Sequence, residues 1–479
     1  MIPFNQTKIV CTIGPATETK AMMRGLVQAG MDVMRLNFSH SNYEEHKARL
    51  DTLKAVNEEL NTTVASLVDT RGPEIRTHTF KDGQATITFG QKVAIHMKEI
   101  VGDNTKFSVT YPDLYKDIEI GGSIIVDDGY LTLKVVDIDT DAKVVLTESF
   151  NTHTIRDRRG INVPGVELNL EYLSEKDMED LKWACDHGAD FVAASFVRHA
   201  DDVTLIRDLL DNHGGEAIQI IAKIENQEGV NNLDEITDIV DGVMIARGDL
   251  GVEVPPEEVP VIQKNIIKMC HRKGKISITA TQMLESMQLH PRPTRAEVSD
   301  VANAILDGTD AIMLSGESAI GKYPVESVNV MHHIAKRLEK EIDRTALIRR
   351  ASKTVTNDIA SNIAMSVAHS VMQGQANMVI APTVSGNTAR LLSKFRPNTM
   401  ILALVPDAKK ARSLALNSGV NAVPFALPKD TEALMRIAID YVRDHELAKP
   451  GDRIVITGGF PIGTPTNSLR IIDITEGDE

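Results

Sequence analysis

Eight short apolar runs, spaced by amphipathic helical patterns, predict an α/β chain built on a (β/α)8 TIM barrel. Two breaks in that rhythm complete the class. One is an all-β stretch after the third run; the other is a further α/β unit after the eighth. The expected division is a barrel from residues 1–70 and 166–344, an inserted β-barrel lid domain at 71–165, and a C-terminal α/β domain at 345–479.

The barrel runs are KIVCTI (8–13), DVMRLNF (32–38), VASLVD (64–69), FVAASFV (191–197), IQIIAKIE (218–225), GVMIAR (242–247), ISITATQ (276–282) and DAIMLS (310–315). Segments of helical period lie between most of them, such as NYEEHKARLDTLKAVNEEL and PEEVPVIQKNIIKMCHRK. Inside the insertion, QATITFGQKVAIH, SIIVDDGYLTLKVVDI and AKVVLTES alternate with period two between Gly and Asp turns. No helical period shows there. Loops at the C-terminal ends of barrel strands build active sites, so a domain grown from one is expected to act as a lid. The barrel pattern ends near KRLEKEIDRT. Beyond it, strands NMVIAPTV, MILALVP, VPFAL and RIVITGG are separated by helices such as TARLLSKF and TEALMRIAIDYVRDHELA.

With 479 residues, 42% hydrophobic and 25% charged, the chain reads as an ordinary globular protein. A net charge of −15 argues against nucleic acid and against an anionic membrane surface as partners. Cys11, Cys185 and Cys270 are far apart and odd in number. They predict neither a disulfide framework nor a metal cluster, and a reducing, cytoplasmic setting is expected. The N-terminal MIPFNQTKIVCTIGPAT lacks a signal-peptide pattern, and no apolar run approaches a membrane span.

The stretch IIAKIENQEG carries the first chemical clue. Lys223 and Glu225 are two residues apart, so both leave a buried strand on one face. An unpartnered buried charge costs several kcal/mol. The next strand, GVMIARGDLG, ends at Asp249. Two carboxylates from neighbouring strand ends suit one divalent ion, typically magnesium, with positions left for water and phosphate. The lysine beside them offers a point charge to a phosphate or an enolate. A purely structural Lys–Glu pair at the rim is the plain alternative.

A second constellation lies in VMRLNFSH, where Arg35, Asn37 and Ser39 share one face and Met34, Leu36 and Phe38 the other. VDTRGPEIR adds Asp69, Thr70 and Arg76. The bland reading is a solvated strand end with Ser39 or Asn42 capping the next helix. Thr281 and Ser315 stand at the tips of the seventh and eighth runs, where helix capping is again the simpler role. Glycines flank Asp249, so backbone N–H groups there can approach an anion closely. The rim as a whole suits a phosphorylated carboxylic acid held by metal.

These motifs resemble the pyruvate kinase family. KIVCTIGPAT, MDVMRLNFSH, DTRGPEIRT, IVDDG, INVPG, FVAASFVR, IAKIENQEGVNN, IARGDLGVE, TATQMLESM and PRPTRAEVSDVANAILDGTDAIMLSGESAIGKYP run in family order through most of the first 330 residues. TVSGNTARLLSKFRP and GDRIVITGGFPIG match more loosely. The resemblance implies a lidded barrel with a C-terminal regulatory domain, usually in a homotetramer. It also implies phosphoryl transfer from phosphoenolpyruvate to ADP, giving pyruvate and ATP.

By that resemblance, Glu225 and Asp249 would hold Mg2+ (or Mn2+). Arg35 and Lys223 would stabilise the transferring phosphoryl group, and Lys223 the enolate as well. Gly248, Asp249 and Thr281 would bind the substrate carboxylate. Protonation of the enolate would run through water near Thr281 and Ser315. Asn37, Ser39, Asp69 and Thr70 match the family's potassium ligands, and Asn37, His40 and Arg76 its nucleotide contacts. Glu74 matches the K+-dependent branch; a lysine there would replace the ion. Many relatives carry a lysine where this chain has His199, which puts nucleotide affinity and its pH dependence in doubt. Arg71 replaces another usual lysine and keeps the charge. Thr383, Ser385, Gly386, Asn387 and Thr388 open a helix and match a loop that binds a phosphorylated allosteric effector, with simple N-capping as the alternative. PIGTPTNSLR departs from better-known effector loops, so the effector has no name. The sequence is read to near residue 479, and the phosphohistidine-type domain that some bacterial members append is not expected in it.

Two rival functions stay open on residues alone. A metal-dependent lyase or aldolase acting on a 2-oxo acid would also gather Glu and Asp at successive strand ends. It would have no need of Arg35, Asn37, Arg76 and the insertion. A metabolite-sensing scaffold without turnover is disfavoured by the intact Lys223, Glu225, Asp249 and Thr281.

Overall fold

The computed structural model describes residues 3–353, 358–428 and 430–475. Residues 1–2 and 476–479, at the ends of the expected division, lie outside these. Eight parallel strands close into a barrel: Lys8–Thr12, Val33–Asn37, Ala65–Asp69, Phe191–Ala194, Gln219–Ile224, Gly242–Ala246, Ile276–Ala280 and Ala311–Leu314. Each falls within one of the eight apolar runs. Strand parity sorts the side chains. Val10, Val33, Leu67, Phe191, Ala193, Ile221, Met244, Ile278 and Met313 fill the barrel interior. Met34, Leu36, Ile220, Val243 and Ile312, one residue out of step, pack against the surrounding helices. The helix Tyr43–Leu60 is capped by Asn42, whose side chain accepts from Glu45 N–H.

The insertion is all-β apart from one helical turn, Leu114–Asp117, which is too short to leave a periodic signal. Its seven-stranded sheet and two-stranded ribbon enclose a separate apolar core around Phe107, Ile95 and Leu133. Four strands of two to four residues, Ile75–Arg76, Lys106–Ser108, His153–Arg156 and Gly160–Asn162, escape the period-two pattern because they are short.

The C-terminal unit is a five-stranded sheet with four parallel strands and an antiparallel edge strand, Ser468–Asp473. That edge strand was not expected; it alternates too little between apolar and polar residues. VPFAL is displaced too, since the strand is Val420–Pro424. This unit seats Leu416, fully buried, among the interior residues at the barrel's N-terminal end. Arg412 Nε lies 2.9 Å from Asp190 Oδ1, and Arg396 lies 3.0 Å from Asp310 Oδ1. The two acids also belong to a repeated device. Asp32, Asp190, Asp241 and Asp310 accept backbone N–H groups from Ile9, Ser66, Ile220 and Ser277 on the preceding strands. Four carboxylates thus tie the eight strands together in neighbouring pairs at the barrel floor.

Candidate active site

Where the inward stripe of apolar residues reaches the C-terminal ends of the strands, it turns polar. Val33 gives way to Arg35, Leu67 to Asp69, Ala193 to Ser195, and Ile221 to Lys223 and then Glu225. All five polar residues are buried. Arg35 Nε donates to Asp69 Oδ2 at 2.6 Å, and its Nη1 donates to Thr12 Oγ1 at 2.8 Å. Lys223 Nζ lies 3.0 Å from Asp69 Oδ1 and 3.0 Å from Glu225 Oε1, and donates to Ser195 Oγ at 2.6 Å. Glu225 Oε2 accepts from Phe196 N–H at 2.7 Å. The expected lysine and glutamate are therefore one buried network that also contains Arg35 and Asp69. It joins two cationic side chains to two carboxyl groups.

Burial opposes ionisation of Asp69, but Arg35 and Lys223 outweigh it and hold that carboxyl below its ordinary value. Burial would lower Lys223, yet Asp69 and Glu225 raise it, so the ammonium persists. Burial above all, with the charges of Asp249 and Asp69, pushes Glu225 up to about 7 against the pull of Lys223.

Asp249 sits in the first turn of the short helix Arg247–Glu253, directly after the sixth strand. Its charge also raises Glu253 and Asp128, in each case after burial itself. Asp128 belongs to the insertion, so lid and barrel bring acids together across a cavity of about 140 Å3. Asp128, Asp249, Glu253, Phe196, Asn226 and Glu228 are among its walls. Among the described residues, no three His, Cys, Asp or Glu side chains form a ready cage for a metal. Oxygen donors from Glu225 and Asp249, with water and a substrate oxygen, match the partial coordination that Mg2+ accepts.

Gly248, Thr281 and Ser315 follow the sixth, seventh and eighth strands at the same rim. Thr281 has φ of +66°, a conformation that a β-branched residue rarely adopts. Its Oγ1 accepts from Gly248 N–H at 2.7 Å and donates to Ala280 O at 2.6 Å. The Gly248 donor is thus spent on Thr281 here. Arg247 braces the same turn through Ala280 O and Thr281 O, and is itself held by Asp300 at 2.6 Å. Ser315 N–H donates to the fully buried Glu317.

Asn37 and Asp69 are register partners on adjacent strands. Asn37 Oδ1 accepts from Ser39 N–H, and Thr70 Oγ1 points to Ala193 O. Ser39 is exposed at the rim, and His40 beside it keeps its ring only half in solvent. Burial, then Arg76 and Arg35, lower the His40 imidazole. Arg76 reaches Glu74 at 2.7 Å, with Arg71 3.7 Å from the same carboxylate. The lid hinge needs Gly72: its φ is +72°, and a Cβ there would lie 2.8 Å from Ser195 O. His199 does not extend into the cavity as a free cation. Its ring pairs with Glu228 at 2.5 Å and meets Asn232 at 3.0 Å.

Five participants were not singled out as site residues in the sequence: Ser195, Asp128, Glu253, Asn162, which donates to Glu253 at 2.8 Å, and Arg159, whose charge lowers Asp128. Barrel parity would have found Ser195, two residues after Ala193. Asp128 lies in the quoted IVDDG, but only the fold shows which domain it faces. In the C-terminal unit, the helix Asn387–Phe395 is capped at Gly386 without a side-chain bond. Thr383 Oγ1 accepts from Gly386 N–H, Ser385 Oγ from Asn387 N–H, and Thr388 Oγ1 meets Thr466 Oγ1. These five residues follow the strand Met378–Pro382 of the C-terminal sheet, which is separate from the barrel.

The pyruvate kinase barrel-domain profile matches residues 4–328, and the pyruvate kinase alpha/beta-domain profile matches residues 361–472. A pyruvate kinase of Bacillus licheniformis is 48% identical over 470 residues, covering 98% of this chain and 80% of that protein. One from Geobacillus stearothermophilus is 47% identical over 473 residues, covering 98% and 81%. A crystal structure of a pyruvate kinase from Cryptosporidium parvum superposes with a TM-score of 0.93 at 36% identity, covering 98% of this chain and 96% of that one. With its buried Arg–Asp–Lys–Glu network at the mouth of a lidded barrel, the chain belongs to the pyruvate kinase family.

Proposed function

We propose that the barrel mouth is where this enzyme moves a phosphoryl group from phosphoenolpyruvate to ADP. The buried Arg35–Asp69–Lys223–Glu225 network carries the reading. Asp69 fixes both cations in one orientation, so little reorganisation is needed as charge develops. Lys223 and Arg35 then face the equatorial oxygens of the phosphoryl group, and Lys223 faces the enolate oxygen left behind. Glu225 and Asp249 would hold Mg2+ (or Mn2+), which supplies Lewis-acid polarisation when bound. Thr281, strained and braced by Arg247, orients the substrate carboxylate together with the Gly248 and Asp249 backbone. Thr281 and Ser315 border the path by which a water-borne proton reaches carbon.

Asn37, His40 and Arg76 are assigned to the nucleotide, with Arg159 beside Arg76 on the lid face. Asn37, Ser39, Asp69 and Thr70 are assigned to K+. Their oxygens suit a hard monovalent ion, although Asp69 would have to share its charge with Arg35 and Lys223. Thr383, Ser385, Gly386, Asn387 and Thr388 are assigned to the phosphate of an allosteric effector. The assembly is taken as a homotetramer, in the cytoplasm, from family resemblance. Among the described residues no helix is long and apolar enough to cross a membrane.

Incubating the enzyme with phosphoenolpyruvate, ADP, Mg2+ and K+ tests the reading. Pyruvate and ATP are expected in equal amounts. Pyruvate without ATP would point to a phosphatase, and neither product to a lyase or a sensing scaffold.

A further inference from the structure

His153, Asp127 and Tyr130 on the lid have no role in the reaction as described. His153 Nε2 lies 2.7 Å from Asp127 Oδ2. The other oxygen of Asp127 lies 3.5 Å from Arg159 Nε, a buried atom with no hydrogen-bond acceptor. One carboxylate therefore divides its charge between an imidazole and a guanidinium. The turn is tightly specified. Asp127, Asp128 and Gly129 have φ of +58°, +54° and +96°, a left-handed conformation that non-glycine residues rarely adopt. Asp127 N–H donates to Gly160 O, and Tyr130 N–H to Asp127 O. The Tyr130 ring stacks on His153 at 5.5 Å. The turn faces the barrel: a Cβ on Gly129 would lie 3.9 Å from Val252, and Asp128 feels the charges of Asp249, Arg159 and Arg76.

We propose that His153 is a positioning residue for the nucleotide. Protonated, it takes over Asp127 and leaves the Arg159 guanidinium to an anionic polyphosphate; neutral, it leaves Asp127 to hold Arg159 back. The proposal rests on the reading that ADP passes between Arg76 on the lid and the barrel rim. Imidazoles change charge between about pH 5 and 8, so the nucleotide grip becomes a function of pH in that span. The titratable and charged groups facing His153 are Asp127 and Tyr130 on the turn and Arg159, through Asp127, beside the strand Gly160–Asn162. Its partner on the strand Gln84–Ile87 is the uncharged Ile87. His40 also titrates near the nucleotide, but from the barrel side, and the variants below retain it.

The experiment is the KM for ADP of the full chain from pH 6 to pH 8, for wild type, His153→Gln and His153→Lys, with thermal melting as a check on folding. His153→Lys supplies a permanent charge. At pH 8 it is expected to give a KM for ADP about two- to fivefold below that of His153→Gln, the size of a partly exposed charge interaction. Wild type is expected to follow His153→Lys at pH 6 and His153→Gln at pH 8. KM for phosphoenolpyruvate should differ by less than about twofold among the three. Identical pH profiles for all three enzymes overturn the proposal. Arg159→Gln separates the two layers of the argument. If it raises KM for ADP while the His153 variants track wild type, only the His153 proposal falls. If Arg159→Gln leaves KM for ADP unchanged even at pH 6, the nucleotide does not pass this face, and both readings fall.

Discussion

Asp69 carries one negative charge and serves two cations, Arg35 and Lys223. Removing a partner from such a buried network costs about 3–5 kcal/mol, because a charge is left uncompensated. Much of this was legible in the sequence. Period-two parity placed Lys223 and Glu225 on one face, and Arg35 between apolar neighbours had to have a partner. What parity could not supply was the identity of that partner, since Asp69 lies 154 residues from Lys223. His46 offers a separate test at this scale. It stacks on Phe38 at 4.1 Å, its Nε2 meets His40 O at 3.0 Å, and burial lowers its pKa to about 4. The unfolded chain binds that proton near pH 6.5. Between these values the unfolded state holds more protons, so stability rises with pH. The His46 contribution is complete above about 6.5 and drains away as pH falls towards 4. His46→Phe is expected to flatten the fall of melting temperature between pH 6.5 and 4.5. A parallel fall in both proteins would contradict the assigned burial.

The loop between the C-terminal unit's helix Ala408–Arg412 and strand Val420–Pro424 places Leu416 inside the barrel floor. Leu416→Ala is expected to lower unfolding free energy by about 2–5 kcal/mol, measured by denaturant titration, because the cavity cannot be filled from the barrel side. A loss below about 0.5 kcal/mol would mean that polar contacts such as Arg412–Asp190, Arg396–Asp310 and Gln219–Ser413, and not Leu416, hold the two units together. Elements were readable in proportion to their length and pattern. All eight barrel strands showed because both their faces are buried. The two- to four-residue lid strands and the edge strand Ser468–Asp473 did not, because pairing rather than alternation defines them. The floor aspartates were equally silent: GMD, GAD, VDG and GTD look like loops until Asp32, Asp190, Asp241 and Asp310 are seen to bind neighbouring strands.

At the scale of the whole molecule, the lid brings Asp128 to Asp249 and Glu253, and like charges across that gap favour a bound cation. The lid–barrel juxtaposition was the least legible part of the site, since no local pattern says how an inserted domain folds back. Glu74, paired with Arg76 and Arg71, leaves no lysine at the hinge to replace a monovalent ion. Replacing K+ by a bulky organic cation is expected to lower turnover at least tenfold, as the change in pyruvate formation would show. Unchanged turnover would contradict the K+ assignment to Asn37, Ser39, Asp69 and Thr70. The central claim concerns Lys223, and it is tested most directly by the rate of ATP formation from phosphoenolpyruvate and ADP in Lys223→Met, at a Mn2+ occupancy matched to wild type. A loss of about 10²–10³-fold or more, with Mn2+ still bound, is the expected result. A variant that turns over at the wild-type rate would show that the buried ammonium serves the fold and not the phosphoryl group.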